Sequence, residues 1–167
     1  MRSRLNILPI FALLLLVAAV GFSCNNDTCL QNQSSIPKAQ LYSSTSQKAI
    51  TVDSLTIFGI GAPGDSMLVK CNKVSTLLLP LRPTTNITQF VIHYDQKILS
   101  DPSINDTITF DCTPEMFYDS RECGAFYRFA VNKVTHTRHF IDSIAVLVPV
   151  FNNTTLETVK IFMITER

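Results

Sequence analysis

The stretch Thr107-Ile108-Thr109-Phe110-Asp111-Cys112 decides the fold. Apolar side chains at 108, 110 and 112 alternate with polar ones at 107, 109 and 111. That period of two is the mark of a half-buried strand, because successive side chains of a strand point to opposite faces. Working outward, the same pattern recurs. Phe90, Ile92 and Tyr94 alternate with Val91 and His93, and Phe126, Arg128 and Ala130 oppose Tyr127, Phe129 and Val131. Leu55 and Ile57 share one face of 54–60, with Phe58 and Ile60 on the other. Met67, Val69 and Cys71 share a face of the next run, and a short run over 74–79 ends at Pro80 and Pro83. Ile144, Val146 and Val148 face one way in a long strand, and Val159, Ile161 and Met163 do so in the last. With Lys38–Ser43 opening the domain, this is a series of short strands rich in Val, Ile, Thr and Phe. It predicts an all-β fold, an antiparallel, immunoglobulin-like sandwich of about seven to eight strands over 38–167. Thr113-Pro114-Glu115 reads as the one helix start, a cap followed by proline and an acid, a turn or two long.

The N-terminus has a different character. Arg2 and Arg4 precede an apolar run from Ile7 to Phe22, which closes on Gly21-Phe22-Ser23-Cys24. This is the layout of an export leader: charged start, apolar middle, small residues before the cut. A cysteine directly after the cut predicts lipid attachment at Cys24, with residues 1–23 as the leader and 24–37 as a lipidated tether. Several acyl chains on one residue give stable anchoring. An ordinary cleaved leader and an uncleaved anchoring helix are the alternatives. Removing 23 of 167 residues leaves 144, enough for one domain with a real core. The net charge of +1 becomes about −1 once Arg2 and Arg4 are gone. No basic stripe remains for nucleic acid. Ile141 to Phe151 is eleven residues long and contains Pro149, too short to span a bilayer.

Four further cysteines remain: Cys29, Cys71, Cys112 and Cys123. An even number in an exported chain predicts two disulfides, with three connectivities open. No close pair of the C-x-x-C kind favours zinc. Cys71 and Cys112 both follow apolar residues at strand parity, whereas Cys29 and Cys123 sit outside strands. Parity therefore favours Cys29–Cys123 and Cys71–Cys112. Five extended residues reach about 17 Å, so the first pairing holds the domain close to Cys24.

Several short pieces, in order, are Cys29 after the leader, Asp53-Ser54-Leu55, Leu79-Pro80-Leu81, Asp106-Thr107-Ile108, Glu122-Cys123-Gly124, Ile141-Asp142-Ser143-Ile144 and Val159-Lys160-Ile161. Their order and spacing resemble a family of uncharacterised small lipoproteins of the Bacteroidota. Cys71 and Cys112 lie outside that pattern. The resemblance implies an envelope location and an all-β fold, and it carries no catalytic residue. That lineage attaches O-glycans at Asp-Ser/Thr-apolar sites, and this chain has four: Ser54, Ser66, Thr107 and Ser143. The competing explanation is local, since Asp before Ser or Thr satisfies backbone N–H groups where a strand opens. Asn25-Asn26-Asp27 after Cys24 is not the acidic tag of surface lipoproteins, which predicts an outer-membrane protein facing the periplasm.

Little in the chain points to catalysis. His136 and His139 lie three apart and so fall on opposite faces of a strand, a poor start for a metal site. Asp111, Glu115, Asp119 and Glu122 form an acidic stretch without calcium-loop spacing. Gly59-Ile60-Gly61-Ala62-Pro63-Gly64 lacks the lysine of a phosphate loop and reads as a turn. There is no Gly-x-Ser-x-Gly elbow. A hydrolase would need a nucleophile beside His93, His136 or His139. The absence of tryptophan weakens a sugar platform, leaving Tyr42, Tyr94, Tyr118 and Tyr127 as the rings able to stack. The expectation is a non-enzymatic, lipid-anchored envelope domain without cofactor, acting as an accessory or interaction module with an envelope protein partner. The alternative is a lipoprotein that binds a small ligand or glycan.

Overall fold

The computed structural model describes residues 35–63, 67–96, 101–121 and 123–165. The leader and most of the tether, with Cys24 and Cys29, lie outside the described residues, as does Ser66. Ten strands follow one another there: β1 (Lys38–Ser43), β2 (Val52–Gly59), β3 (Met67–Val74), β4 (Thr76–Leu78), β5 (Ile87–Tyr94), β6 (Asp106–Ser120), β7 (Gly124–His136), β8 (Ile141–Val146), β9 (Val150–Phe151) and β10 (Val159–Met163). A 3-10 turn, Pro102–Ile104, sits between β5 and β6. The strands form a four-stranded sheet, β4-β1-β10-β8, and a six-stranded sheet, β3-β2-β5-β6-β7-β9. The fold is all-β, two sheets packed together, and the larger one curls into a half-barrel. An immunoglobulin-like sandwich fits that layering.

The alternation explains the packing. Along β6, Asp106, Ile108, Phe110 and Cys112 are buried, while the residues between them are half-exposed. Leu41 and Ile161 come from the small sheet and Ile57, Ile92 and Phe110 from the large one, all within a single core. Phe110 lies edge-on to both Phe90 and Phe151, with centroids 6.0 and 6.1 Å apart. Such pairs add roughly 0.5–1.5 kcal/mol each beyond area burial.

The structure corrects four expectations. The strands number ten rather than seven to eight, and not every pair is antiparallel. β1 runs parallel to β10, with Leu41 opposite Ile161. Alternation fixes which face a residue takes but not the direction of its neighbour. The long strand expected across Val148 ends at Val146. Past Pro149 the chain joins the other sheet, where β9 pairs with β7 at Phe129 and Ala130. Thr113-Pro114-Glu115 starts no helix and lies inside β6. Proline is tolerated there because β5 pairs β6 only as far as Asp111, leaving an open edge beyond.

Candidate functional site

Two features stand out from the sandwich: a buried carboxylate and a projecting hairpin. The carboxylate belongs to Asp106, in inward register with Ile108 and Phe110, and it is fully buried. Its Oδ1 accepts from Thr137 Oγ1 at 2.8 Å and from the His139 N–H at 2.9 Å. Its Oδ2 accepts from Tyr94 Oη at 2.8 Å and from the Phe140 and Ile141 N–H groups at 2.7 and 3.0 Å. Five donors converge on two oxygens. They come from β5 and from the segment that crosses from β7 in one sheet to β8 in the other. The carboxylate thus satisfies the backbone of a crossing loop that neither sheet can pair. Burial, followed by the Asp106 charge, pushes the Tyr94 phenol far above its usual range.

The histidines gather around the same loop. His93 Nδ1 lies 2.8 Å from Asn105 Oδ1, and its Nε2 is 3.5 Å from Asp95. His139 Nδ1 lies 3.0 Å from the Asn105 carbonyl and 3.6 Å from Asp106 Oδ1. His136 Nδ1 meets the Thr137 carbonyl at 2.8 Å. The nearby hydroxyls face acids instead: Thr137 donates to Asp106, and Thr56 donates to Asp95 at 2.6 Å. The cluster locks the end of the sandwich where β6 begins. Among the described residues no three His, Cys, Asp or Glu side chains gather as a metal site requires. The acidic stretch is drawn out along β6, where Asp111 accepts from Asn132 and Glu115 from Arg128. Glu122 lies outside the described residues, and so does Gly64 of the glycine-rich turn.

The hairpin is the other end of β6. β5 leaves β6 after Asp111, and β9 touches β7 only at Phe129 and Ala130. From Glu115 to Ser120 and Gly124 to Arg128 the two strands have only each other. They form an arm of five cross-strand pairs, from Glu115↔Arg128 to Ser120↔Gly124, that continues Thr113↔Ala130 and Pro114↔Phe129, where β9 still flanks β7. Gly124 takes a φ of +74° where the arm turns, a conformation that suits glycine.

The two faces of the arm differ in character. On one, Phe117 and Phe126 stack with centroids 5.4 Å apart. Arg128 covers Phe117 at 5.0 Å and binds Glu115 at 2.9 Å. This face is stitched to itself by cross-strand pairs. The other continues the inward register of Cys112 and Phe129, but no second sheet lies beneath it. There Met116 is 70% exposed, Tyr118 64% and its neighbour Tyr127 38%. Of the four tyrosines, Tyr94 is buried against Phe140, and Tyr42 is half-covered by Phe162 and Lys160. The two most open phenols therefore share one face of one arm.

Three expectations from the sequence meet this geometry. The Cys71–Cys112 disulfide is corrected: both are free thiols, Cys71 exposed and Cys112 buried. They sit on β3 and β6, with β2 and β5 between them, so three strand spacings of about 4.8 Å separate them, well beyond bridging range. Parity misleads there because β3 slips register around Cys71, which takes a φ of +40°. Cys123, near the tip of the arm, is disulfide-bonded. Of the Asp-Ser/Thr-apolar residues, Ser143 is exposed on edge strand β8, while Ser54 and Thr107 are half-buried. Asp106, the acid of the Asp-Thr-Ile match, is occupied by its five donors.

The sequence pattern described as "Family of unknown function (DUF6452)" matches residues 54–163, and the chain belongs to that family. The match runs from within β2 to the end of β10 and includes the Asp106 cluster and the whole arm. No curated protein and no solved structure matches the chain.

Proposed function

We propose that this member of a family of unknown function is a small envelope lipoprotein of the Bacteroidota kind. Its sandwich is a non-enzymatic interaction domain, anchored through an acylated Cys24 on the periplasmic side of the outer membrane. The observation that carries the reading is the arm. An apolar stripe of Met116, Tyr118 and Tyr127 continues the core register out into solvent, and exposed stripes of this kind mark interaction sites. The leader and its cysteine support the anchor. So does arithmetic: the chain has five cysteines, Cys71 and Cys112 are free, and only Cys24 and Cys29 remain for Cys123. With Cys24 acylated, Cys29 is the partner.

The test is photo-crosslinking from positions 116 and 118 in native membranes, with Cys24→Ala as the unanchored control. The reading expects crosslinks from the arm that vanish in the control. Equal labelling from Ile60, an exposed apolar residue off the arm, would sink it.

The small-ligand alternative rests on a different place. A cleft of 400 Å³ opens between edge strands β3 and β4, lined by Ile36, Ile57, Leu68, Val69 and Leu78. Its lining suits an apolar molecule. Stabilisation of the domain by a fatty acid, abolished by Leu78→Glu, would support it. No shift in melting temperature across a panel of apolar ligands would remove it.

A further inference from the structure

We propose that the arm engages the bilayer interface itself, with Met116, Tyr118 and Tyr127 seated among the lipid headgroups and upper acyl chains. The domain is then held arm-down on the membrane that carries its anchor. The inference rests on the acylated Cys24 of the preceding reading and goes beyond it by naming what covers the apolar face and how the domain stands.

Reach supports it first. Cys123 lies near the tip of the arm, and the Cys29–Cys123 bond of the preceding reading leaves five residues to the acylated Cys24. Five extended residues span about 17 Å, and a disulfide adds roughly 6 Å between Cα atoms. The tip is therefore confined to about 23 Å from the lipid anchor. The strands rise about 3.3 Å per residue, so Tyr118 sits roughly 7 Å and Met116 roughly 13 Å back from the Ser120↔Gly124 end. An arm lying along the surface places the whole stripe at the interface.

Chemistry supports it second. Tyrosine concentrates at membrane–water boundaries, where the ring meets the acyl layer and the hydroxyl stays wet. Interfacial elements sink about 5–10 Å into that boundary. The stripe carries no charge. Glu115 and Arg128 point to the other face and bind each other, so seating the stripe strands no ion. The tip sequence 119–122 carries the exposed Asp119 and Arg121 and, beside them in the chain, Glu122, a net charge of −1 outside the stripe itself. A neutral face predicts engagement that depends little on lipid charge or salt.

The chain contains no tryptophan, so Tyr118→Trp installs a single reporter. The experiment uses the lipidated, oxidised mature protein in phosphatidylcholine vesicles with brominated acyl chains. The control is Gln96→Trp, an exposed site past the other end of β5. It lies roughly 45 Å from the tip, judged by the length of β6. The expected result is blue-shifted emission from the indole at position 118, quenched several-fold more than the indole at position 96, and unchanged when anionic lipid or salt is added. Intact mass of the same sample reads the acyl group. Acyl mass with an unquenched, solvent-like indole in Tyr118→Trp overturns this inference and leaves the anchor standing. Absence of acyl mass overturns both. Emission from Tyr118→Trp that is equally blue-shifted in soluble Cys24→Ala protein without vesicles overturns the bilayer in favour of a second copy or another part of the chain.

Discussion

Replacing Asp106 tests how the two sheets are joined. In Asp106→Ala the five donors that met the carboxylate lose their acceptor: the Tyr94 and Thr137 hydroxyls and the N–H groups of His139, Phe140 and Ile141. A buried donor left unsatisfied costs about 1–3 kcal/mol. Water entering the space left by the carboxylate recovers part of that, so a net loss of about 4–6 kcal/mol is expected. Against a total stability of roughly 5–15 kcal/mol, this is enough to leave the domain marginal or unfolded. Asp106→Asn is graded. Its carbonyl can replace Oδ2 and keep Tyr94, Phe140 and Ile141. Its amide then faces the Thr137 hydroxyl, which can rotate to accept, and the His139 N–H, which cannot. One buried clash and the lost charge assistance set the cost at about 2–4 kcal/mol. Urea unfolding of the mature chain, followed by circular dichroism, gives both numbers. The reasoning is refuted if the alanine variant lies within about 1 kcal/mol of the native protein, or if Asn costs as much as Ala.

Tyr94→Phe should cost about 1–2 kcal/mol, since Asp106 keeps four donors. The folded Tyr94 phenol titrates above its ordinary value of 10.0. Its contribution is therefore full below pH 10 and lost as pH rises past it, while the unfolded chain ionises. Stability measured from about pH 9 to 11 should fall less steeply in Tyr94→Phe, and identical slopes would count against the burial. Cys71 should react with a thiol reagent at once in the folded protein. Cys112, with its thiol pushed up to about 11 by burial and then by the Asp111 charge, should react only on unfolding. Equal rates would contradict their placement. Gly124→Ala should cost about 1 kcal/mol through strain alone, because the site is open but φ is +74°. A neutral substitution would place the turn in another conformation.

The layered β architecture was legible because alternation is local. β1 falls on Lys38–Ser43, and β5 and β10 show their buried residues in strict alternation. Features that depend on neighbours were not legible. The parallel pairing of β1 with β10 leaves no trace in either strand's pattern. Alternation alone turns Met67, Val69 and Cys71 of β3 inward, yet Met67 and Cys71 are exposed, because an edge strand with a slipped register covers little of the core. Thr113-Pro114-Glu115 carries a real capping signal. It is overridden by seven cross-strand pairs, a tertiary outcome that local propensity does not contain. Asp106 did leave a signal: an acid two residues before Ile108 holds the inward parity of 108, 110 and 112. That parity announces a buried, satisfied carboxylate. The arm's stripe was hidden because Met116 and Tyr118 look like core residues until the sheet around them is known to end.

The most direct test of the anchored, arm-down account is peptide mapping of the membrane-extracted mature protein by mass spectrometry without reduction. The account predicts an N-terminal peptide acylated at Cys24 and joined through Cys29 to the peptide carrying Cys123, with Cys71 and Cys112 as free thiols. An unacylated N-terminus, or Cys123 found free or bonded to Cys71 or Cys112, would contradict it.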